Sequence, residues 1–438
     1  MNYQKDSLSL LGTVAMGTGV MIGAGIFALT GQVAELAGPV FPFAFLLAAG
    51  ISGFSAYTYI KVSNQYPSAG GIAMILKKAY GQSWVTGAAA LLMAVSMIIN
   101  ESLVARTFGT YVLQAFGIDQ GGWWIPLLAV GLIIAAFLVN IAGNQVIGSI
   151  SNMTAILKIG GIMVFSIGTL WAAGFAFQPA QSSIGVSSTA GGFLAAVALA
   201  ILAFKGFTTI TNSGDEVVNP KKNVGRAIVL SLVVCLVVYL FVSWAVGSTL
   251  PVEKIVEAKD YSLAEAARPA FGDYGVWFTV AIAIIATASG LLASIFAVSR
   301  MLAMLTDMNL IPHRHFKMPG NIQKHTLVYT VVLASILAVF FDLSRIASLG
   351  AIFYLFMDIT IHWGVFRYLR SEVEASGWVL LIAAGLDTLA LGAFLWLKVK
   401  SDPVIVALGL AGILAIGLFE KFYLSRIREG EEGHDSHH

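Results

Sequence analysis

Charge is scarce in this chain. Asp, Glu, Lys and Arg make up 11% of its 438 residues, against 58% hydrophobic residues and a mean hydropathy of +0.84. A soluble domain carries roughly a quarter charged residues, so a water-exposed globular fold is excluded and the composition is that of a polytopic protein embedded in a lipid bilayer. Cysteine is scarcer still. The single Cys235 lies in an apolar run, which excludes an intrachain disulfide and a CxxC metal or redox motif and leaves the redox compartment open. No Ser/His pair or paired carboxylates fall at one depth, so an intramembrane enzyme is not expected, nor is a bound cofactor or metal. The basic residues track the loops between apolar runs, which leaves no patch for nucleic acid. No short leader with a small-residue cleavage site precedes the first apolar stretch, so that stretch is expected to be retained as a span.

What is present is a series of apolar runs. Crossing about 30 Å of hydrocarbon takes about 20 helical residues, and runs of that kind fall at 8–36, 40–62, 83–115, 122–142, 146–175, 190–214, 224–249, 274–307, 326–341, 344–369, 376–397 and 402–424. Twelve transmembrane helices are therefore expected in an all-α membrane protein. Gly38-Pro39, Tyr66-Pro67-Ser68, Gly121-Gly122, Asn219-Pro220, Pro251, Ile311-Pro312, Pro319-Gly320 and Asp402-Pro403 punctuate the series. With a cytoplasmic amino terminus, sixteen of the 25 Lys and Arg residues fall on the inside, six fall outside, and Arg106, Lys158 and Lys205 remain within spans. That bias places both termini in the cytoplasm and the protein in the plasma membrane as a multi-pass chain. Residues 1–7 and the acidic, His-rich 425–438 are expected to be cytoplasmic ends, the latter disordered rather than metal-binding. The loops 250–273 and 308–325 are long enough for small helices.

Two apolar segments are interrupted. The first breaks at Gly23-Ala24-Gly25-Ile26-Phe27, the sixth at Phe204-Lys205-Gly206-Phe207, followed by Thr208, Thr209, Thr211, Asn212 and Ser213. Gly19 and Gly23 also form a small-xxx-small spacing that can serve helix packing alone. Segments 1–5 (8–175) and 6–10 (190–369) can be overlaid as halves of opposite topology, each opening on an interrupted helix, with segments 11 and 12 (376–424) outside. Paired interruptions at matching positions mark transport sites, because broken backbone in a bilayer needs polar partners.

The stretch Gly19-Val20-Met21-Ile22-Gly23-Ala24-Gly25-Ile26-Phe27, with Ala37-Gly38-Pro39 after it, resembles the first-helix signature of the amino acid/polyamine/organocation transporters. Asn219-Pro220-Lys221-Lys222-Asn223-Val224-Gly225-Arg226-Ala227-Ile228 resembles their loop after helix six, with Gly225 where proline is usual. Pro67-Ser68-Ala69-Gly70-Gly71 resembles the loop after helix two. Ser299-Arg300-Met301-Leu302, running on to Asn309-Leu310-Ile311-Pro312, resembles the end of helix eight. The resemblance implies a five-plus-five inverted repeat with discontinuous helices one and six, two C-terminal helices and alternating access. Ile210-Thr211-Asn212 and Lys158 look most like the ApcT-type proton-coupled members, which implies import of an amino acid by proton symport, the proton being the coupling ion. Exchange of amino acids or polyamines without net proton coupling is the alternative, and a non-transporting scaffold or sensor a remoter one. The oligomeric state stays open.

A zwitterionic α-amino acid suits such breaks. Its carboxylate matches the N–H groups of Ala24, Gly25 and Ile26 at the start of an outer half-helix beginning after Gly25, and its ammonium the carbonyls of Met21, Ile22, Phe204 and Gly206. Gly23, Lys205 and Phe207 complete the candidate binding set; Phe204 and Phe207 are gates or core. Lys158 lies on a stripe with Ser151, Thr154, Gly161 and Phe165. A lysine at the bilayer centre costs about 2.5–3.5 kcal/mol, so it snorkels, makes a static pair, or has a task. In ApcT-type relatives a lysine here is taken to stand in for a cation between helices one and eight. Lys158 is expected near Val20 or Gly23 carbonyls, with Ser289 close by. Lys205 has two readings, a selectivity group facing the substrate or the partner of a buried Glu101. Asp358 and His362, one turn apart, relay protons or tie helices together, and Asp387 is read as structural. Arg106 marks a gate or a depth boundary.

Overall fold

The computed structural model describes residues 7–68, 71–118, 121–142, 144–175, 180, 189–311 and 322–435. Ala69, Gly70, Pro312, Pro319 and Gly320 therefore lie outside the described residues. Within the described residues the chain is helical; extended pairing is limited to one bridge, where Leu8 N donates to Glu216 O at 2.8 Å and Val218 N to Leu8 O at 2.9 Å.

The helices run α1 (Leu10–Met21), α2 (Ala24–Ala37), α3 (Phe41–Gln65), α4 (Gly71–Tyr80), α5 (Trp84–Ala115), α6 (Trp124–Ala142), α7 (Asn144–Ala172), α8 (Ala190–Phe204), α9 (Phe207–Thr211), α10 (Pro220–Thr249), α11 (Val252–Glu257), α12 (Ser262–Asp307), α13 (Ile322–Phe340), α14 (Leu343–Gly364), α15 (Gly377–Ser401) and α16 (Pro403–Asp435). Their starts follow local chemistry. Ser9, Ser83, Thr189 and Asp342 each accept a first-turn N–H with a side-chain oxygen, and Pro220 fills a first-turn position where no N–H is needed. Gly38, at φ 60°, ends α2.

Among the described residues, ten helical stretches are long and apolar enough to cross a membrane, and two shorter apolar helices, Leu10–Met21 and His325–Phe340, accompany them. At 12 and 14 residues, α1 and α2 are about 18 and 21 Å long, so neither crosses alone and the pair is needed to span the hydrocarbon. α12 is divided at Gly272 (φ 60°, ψ −148°), which separates the loop helix expected after Ser262 from the long apolar run. α16 stays helical to Asp435. The tail expected to be disordered from 425 thus begins as a continuation of the last helix, because Arg426, Arg428, Glu429, Glu431 and Glu432 are good helix formers.

Burial orders the bundle. α8 and α5 bury 89% and 83% of their most apolar windows, whereas α16 buries 22%, so the first two form the centre and the last lies on the rim. Leu138, Trp171, Phe340, Leu414 and Phe422 are largely exposed on the outside, as hydrocarbon-facing side chains should be. Ala195, Ala196, Ala198, Ala200 and Ala203 make α8 thin, and it is buried from Ala195 to Phe204, which lets other backbones approach it closely.

Both ends of the crossing are covered. At the end holding the amino terminus, the Leu8 bridge is joined by Arg300, whose Nη2 reaches Glu216 Oε1 at 2.6 Å. At the opposite end, Gln32 Nε2 donates to Asp260 Oδ1 at 2.6 Å and Lys259 pairs with Glu35 at 2.8 Å. Gly31 presses on this cover so closely that a Cβ would lie 2.2 Å from Lys259 O.

Gly71 opens α4 at φ +44°, and a Cβ there would sit 1.9 Å from Asn212 Oδ1, the atom that accepts from Ile72 N. Gly71→Ala is expected to cost about 1–3 kcal/mol from backbone strain alone, seen as a lower melting midpoint in detergent; an unchanged midpoint would contradict this fit.

Candidate functional site

The break between α1 and α2 is two residues long. Ile22 N makes the last bond of α1, to Thr18 O at 2.7 Å, and Gly23 then leaves the helix at φ −149°, ψ −100°. The outer half-helix begins at Ala24 rather than after Gly25, because the non-helical conformations are confined to Ile22 (φ −85°, ψ 69°) and Gly23. A helix end leaves its last four carbonyls without intrahelical donors, here those of Gly19, Val20, Met21 and Ile22. Side chains from elsewhere claim two of them.

Lys158 claims the first. From α7 its Nζ donates to Gly19 O at 2.8 Å and to Ser289 Oγ on α12 at 3.2 Å, with the side chain 2% exposed. The acceptor is Gly19, next to the expected Val20, since Gly19 O would otherwise receive the N–H of Gly23, which the break turns away. Thr154 and Phe165 of the expected stripe are buried, and Gly161 is half-buried against Ile282; the Ser151 side chain lies outside the described residues.

Tyr239 claims the third carbonyl, and it was not among the residues singled out from the sequence. Its hydroxyl lies 2.6 Å from Met21 O and 3.1 Å from Ala203 O. One buried hydroxyl on α10 thus bridges the ends of α1 and α8, with its ring against Phe204 (centroids 4.9 Å) and Phe45 (5.7 Å). A legible signal existed: a tyrosine in the middle of the Val/Leu run of α10, whose hydroxyl needs a partner once buried.

Glycines bring the two interruptions into contact. A Cβ on Gly206 would lie 2.6 Å from Met21 Cγ and 2.9 Å from Met21 N, and one on Gly25 would lie 2.7 Å from the Tyr239 hydroxyl and 3.1 Å from Ala203. Larger residues would force α1, α2 and α8 apart. Met21, Ile22, Ile26, Phe27, Phe204 and Phe207 are all 0–1% exposed around this crossing.

The second interruption corrects the expected unwinding. Lys205 (φ −62°, ψ −14°) and Gly206 (φ −59°, ψ −15°) stay in the right-handed helical region. Lys205 N reaches Leu202 O at 3.4 Å, Thr208 N donates to Lys205 O at 3.0 Å, and Thr209 N to Gly206 O at 3.1 Å. The chain tightens into a 3₁₀-type turn instead of opening, because three-residue bonds satisfy the groups a break would orphan. Of the four carbonyls expected to meet an ammonium, Met21 O and Gly206 O are therefore occupied by protein donors.

Lys205 does not pair with Glu101. Its Nζ donates to both the carbonyl and the hydroxyl of Ser96 at 3.2 Å and lies 5.7 Å over the Tyr354 ring. Glu101 instead accepts from Ser294 Oγ at 3.3 Å, and its other carboxylate oxygen is buried without a hydrogen-bond partner. Ser96 and Glu101 lie five residues apart on α5 and so face different neighbours, which is why one side chain cannot serve both. Arg106 donates to Ala338 O at 2.7 Å, an anchor between α5 and α13.

Asp358 and His362 gather a larger cluster than expected. Asp358 accepts from Ser55 Oγ at 2.7 Å and from the Tyr59 hydroxyl, and His362 Nδ1 shares a 2.8 Å hydrogen bond with Thr58 Oγ1. Asp387, from α15, stands 3.2 Å from His362 Nε2.

The pattern of the amino acid permease family matches residues 8–414, nearly the whole chain. The chain belongs to this family. It is a transporter of the amino acid/polyamine/organocation superfamily, not an enzyme. The permease is 27% identical to the inner membrane transport protein YbaT of Escherichia coli, over 90% of this chain and 91% of that one. It is 30% identical to an uncharacterised transporter of Mycobacterium tuberculosis, over 76% of this chain and 74% of that one. It is 25% identical to the branched-chain amino acid permease BcaP of Lactococcus lactis, over 82% and 81%. Within the permease, Tyr239→Phe should remove the hydroxyl that joins α1 to α8 and the one proton that Met21 O and Ala203 O share, costing about 1–3 kcal/mol. Thermal melting in detergent measures this, and an unaltered midpoint would show that the two helix ends do not depend on the bridge.

Proposed function

We propose that this permease imports an α-amino acid together with a proton by alternating access in the plasma membrane. In this reading twelve spans cross the bilayer with both termini cytoplasmic. The first ten form the inverted repeat (8–175 and 190–369), and the remaining two (376–424) stand outside it. The observation that carries the proposal is the ammonium of Lys158 resting on Gly19 O, a carbonyl freed by the break in α1, and on Ser289 Oγ of α12. A cation at that point braces the inner half-helix.

The uncapped first turn of α2 supplies N–H groups of Ala24, Gly25 and Ile26 for the substrate carboxylate, where the helix dipole favours negative charge. Ile22 O and Phe204 O offer acceptors for the substrate ammonium. Gly23 gives the space between them, and Phe27, Phe204 and Phe207 give apolar walls. These walls, together with the likeness to a branched-chain amino acid permease, support an apolar substrate side chain, with Lys205 held to one side by Ser96. When Lys158 gives up its proton, Gly19 O loses a charged donor and the brace on α1 weakens, which favours opening toward the side where substrate leaves.

In liposomes, wild-type uptake of a branched-chain amino acid should rise with an inward proton gradient, and Lys158→Ala should lower that gradient-driven uptake tenfold or more, equivalent to about 1.4 kcal/mol. Full gradient dependence in Lys158→Ala would sink the coupling role. Counterflow of equal rate with and without the gradient in the wild type would instead identify an exchanger.

A further inference from the structure

The cluster of Asp358, His362 and Asp387 is used by nothing above. It lies between α3, α14 and α15, whereas Lys158 joins α7 to α1 and α12. All three side chains are 0% exposed. His362 Nε2 stands 3.2 Å from Asp387 Oδ2 and 3.5 Å from Asp358 Oδ2. Yet Nε2 and both oxygens of Asp387 have no hydrogen-bond partner, so three buried polar atoms converge without aligned bonds.

The surroundings decide how charge is shared. From α3 come Ser55, Thr58 and Tyr59, and from α14 comes Tyr354, one turn before Asp358. On the α8 side, Lys205 meets the far edge of this set through the Tyr354 ring. Along α15, Asp387 is the sole charged residue before Lys398. With both aspartates ionised and His362 protonated, the cluster would carry a net negative charge in a sealed, apolar place, which is strongly disfavoured. One more proton makes it neutral. Asp358 already accepts two hydroxyl donors, one on each oxygen, which suits a carboxylate. Asp387 accepts none.

We propose that Asp387 carries a proton in a neutral cluster with the Asp358 carboxylate and the His362 imidazolium, forming a proton-binding site separate from Lys158. Loss of that proton leaves one uncompensated negative charge between α14 and α15, relieved when α15 shifts or water enters. The consequence reaches the crossing through Tyr59, whose hydroxyl binds Asp358 and whose ring meets Phe207 edge-on at 5.3 Å. The three side chains also lie within 4.8 Å of one another, as metal ligands would. Complete enclosure offers a hydrated ion no entry path, whereas a proton can pass along hydroxyls. The proposal stands whether or not Lys158 couples transport.

Infrared spectra of the full-length protein in lipid vesicles at neutral pH test it through the C=O stretch of a buried carboxylic acid. The wild type should show a band that Asp387→Asn deletes and Lys158→Ala keeps. Should Asp387→Asn fail to fold, Asp387→Glu keeps the acid and should shift the same band. A spectrum unchanged by the substitution at 387 overturns the proposal. So does elemental analysis that finds a stoichiometric divalent metal in the wild type and loses it in the Asp387 variant.

Discussion

Everything at the centre of this permease depends on satisfying the backbone that Gly23 frees inside hydrocarbon. An unpaired N–H or C=O there costs several kcal/mol, so a helix cannot break at mid-depth unless other groups are already in place to receive it. Lys158 supplies a donor to Gly19 O and Tyr239 supplies one to Met21 O. They come from different helices, α7 and α10. The broken helix is thus held by two side chains that do not touch each other's carbonyl, and the elements that carry them are tied to α1 by its own interruption.

The two donors differ in what they can do. A tyrosine hydroxyl between Met21 O and Ala203 O is a neutral donor, and it ties α1 to α8 without a charge to lose. In the proposed cycle a lysine ammonium that gives up its charge makes the contact between α1 and α7 releasable, so the end of α1 carries one lasting and one releasable attachment. The thinness of α8, given by its alanines, and the glycines at 25 and 206 keep α1 and α8 close enough for a single hydroxyl to reach both carbonyls.

Much of this was readable from the residues. The apolar runs, the break at Gly23 and the buried lysine are all one-dimensional signals, since hydrophobic length, a glycine in an apolar helix and a charge at mid-span each carry their own energetic warning. Three features were not. Lys205-Gly206 reads like a second unwinding, but a 3₁₀-type turn satisfies the same groups, and glycine in a sequence does not distinguish opening from tightening. Opposite charge made Glu101 the natural partner for Lys205, yet the azimuth of α5 sends the two to Ser294 and Ser96. The role of Tyr239 is the third: its place in an apolar helix signals that the hydroxyl needs a partner, but which carbonyls it meets depends on what another segment leaves free.

The same reasoning sets the Asp358 cluster apart from the crossing. Around Gly23 the orphaned groups are neutral carbonyls, and neutral or cationic donors complete them. Around Asp387 the orphaned groups are acidic, and no lysine or arginine reaches them among the described residues, so their compensation has to come from protons already on the cluster. Tyr59 joins the two places by binding Asp358 with its hydroxyl and Phe207 with its ring. A change of charge between α14 and α15 therefore bears on the turn after α8, the turn that packs directly on Met21.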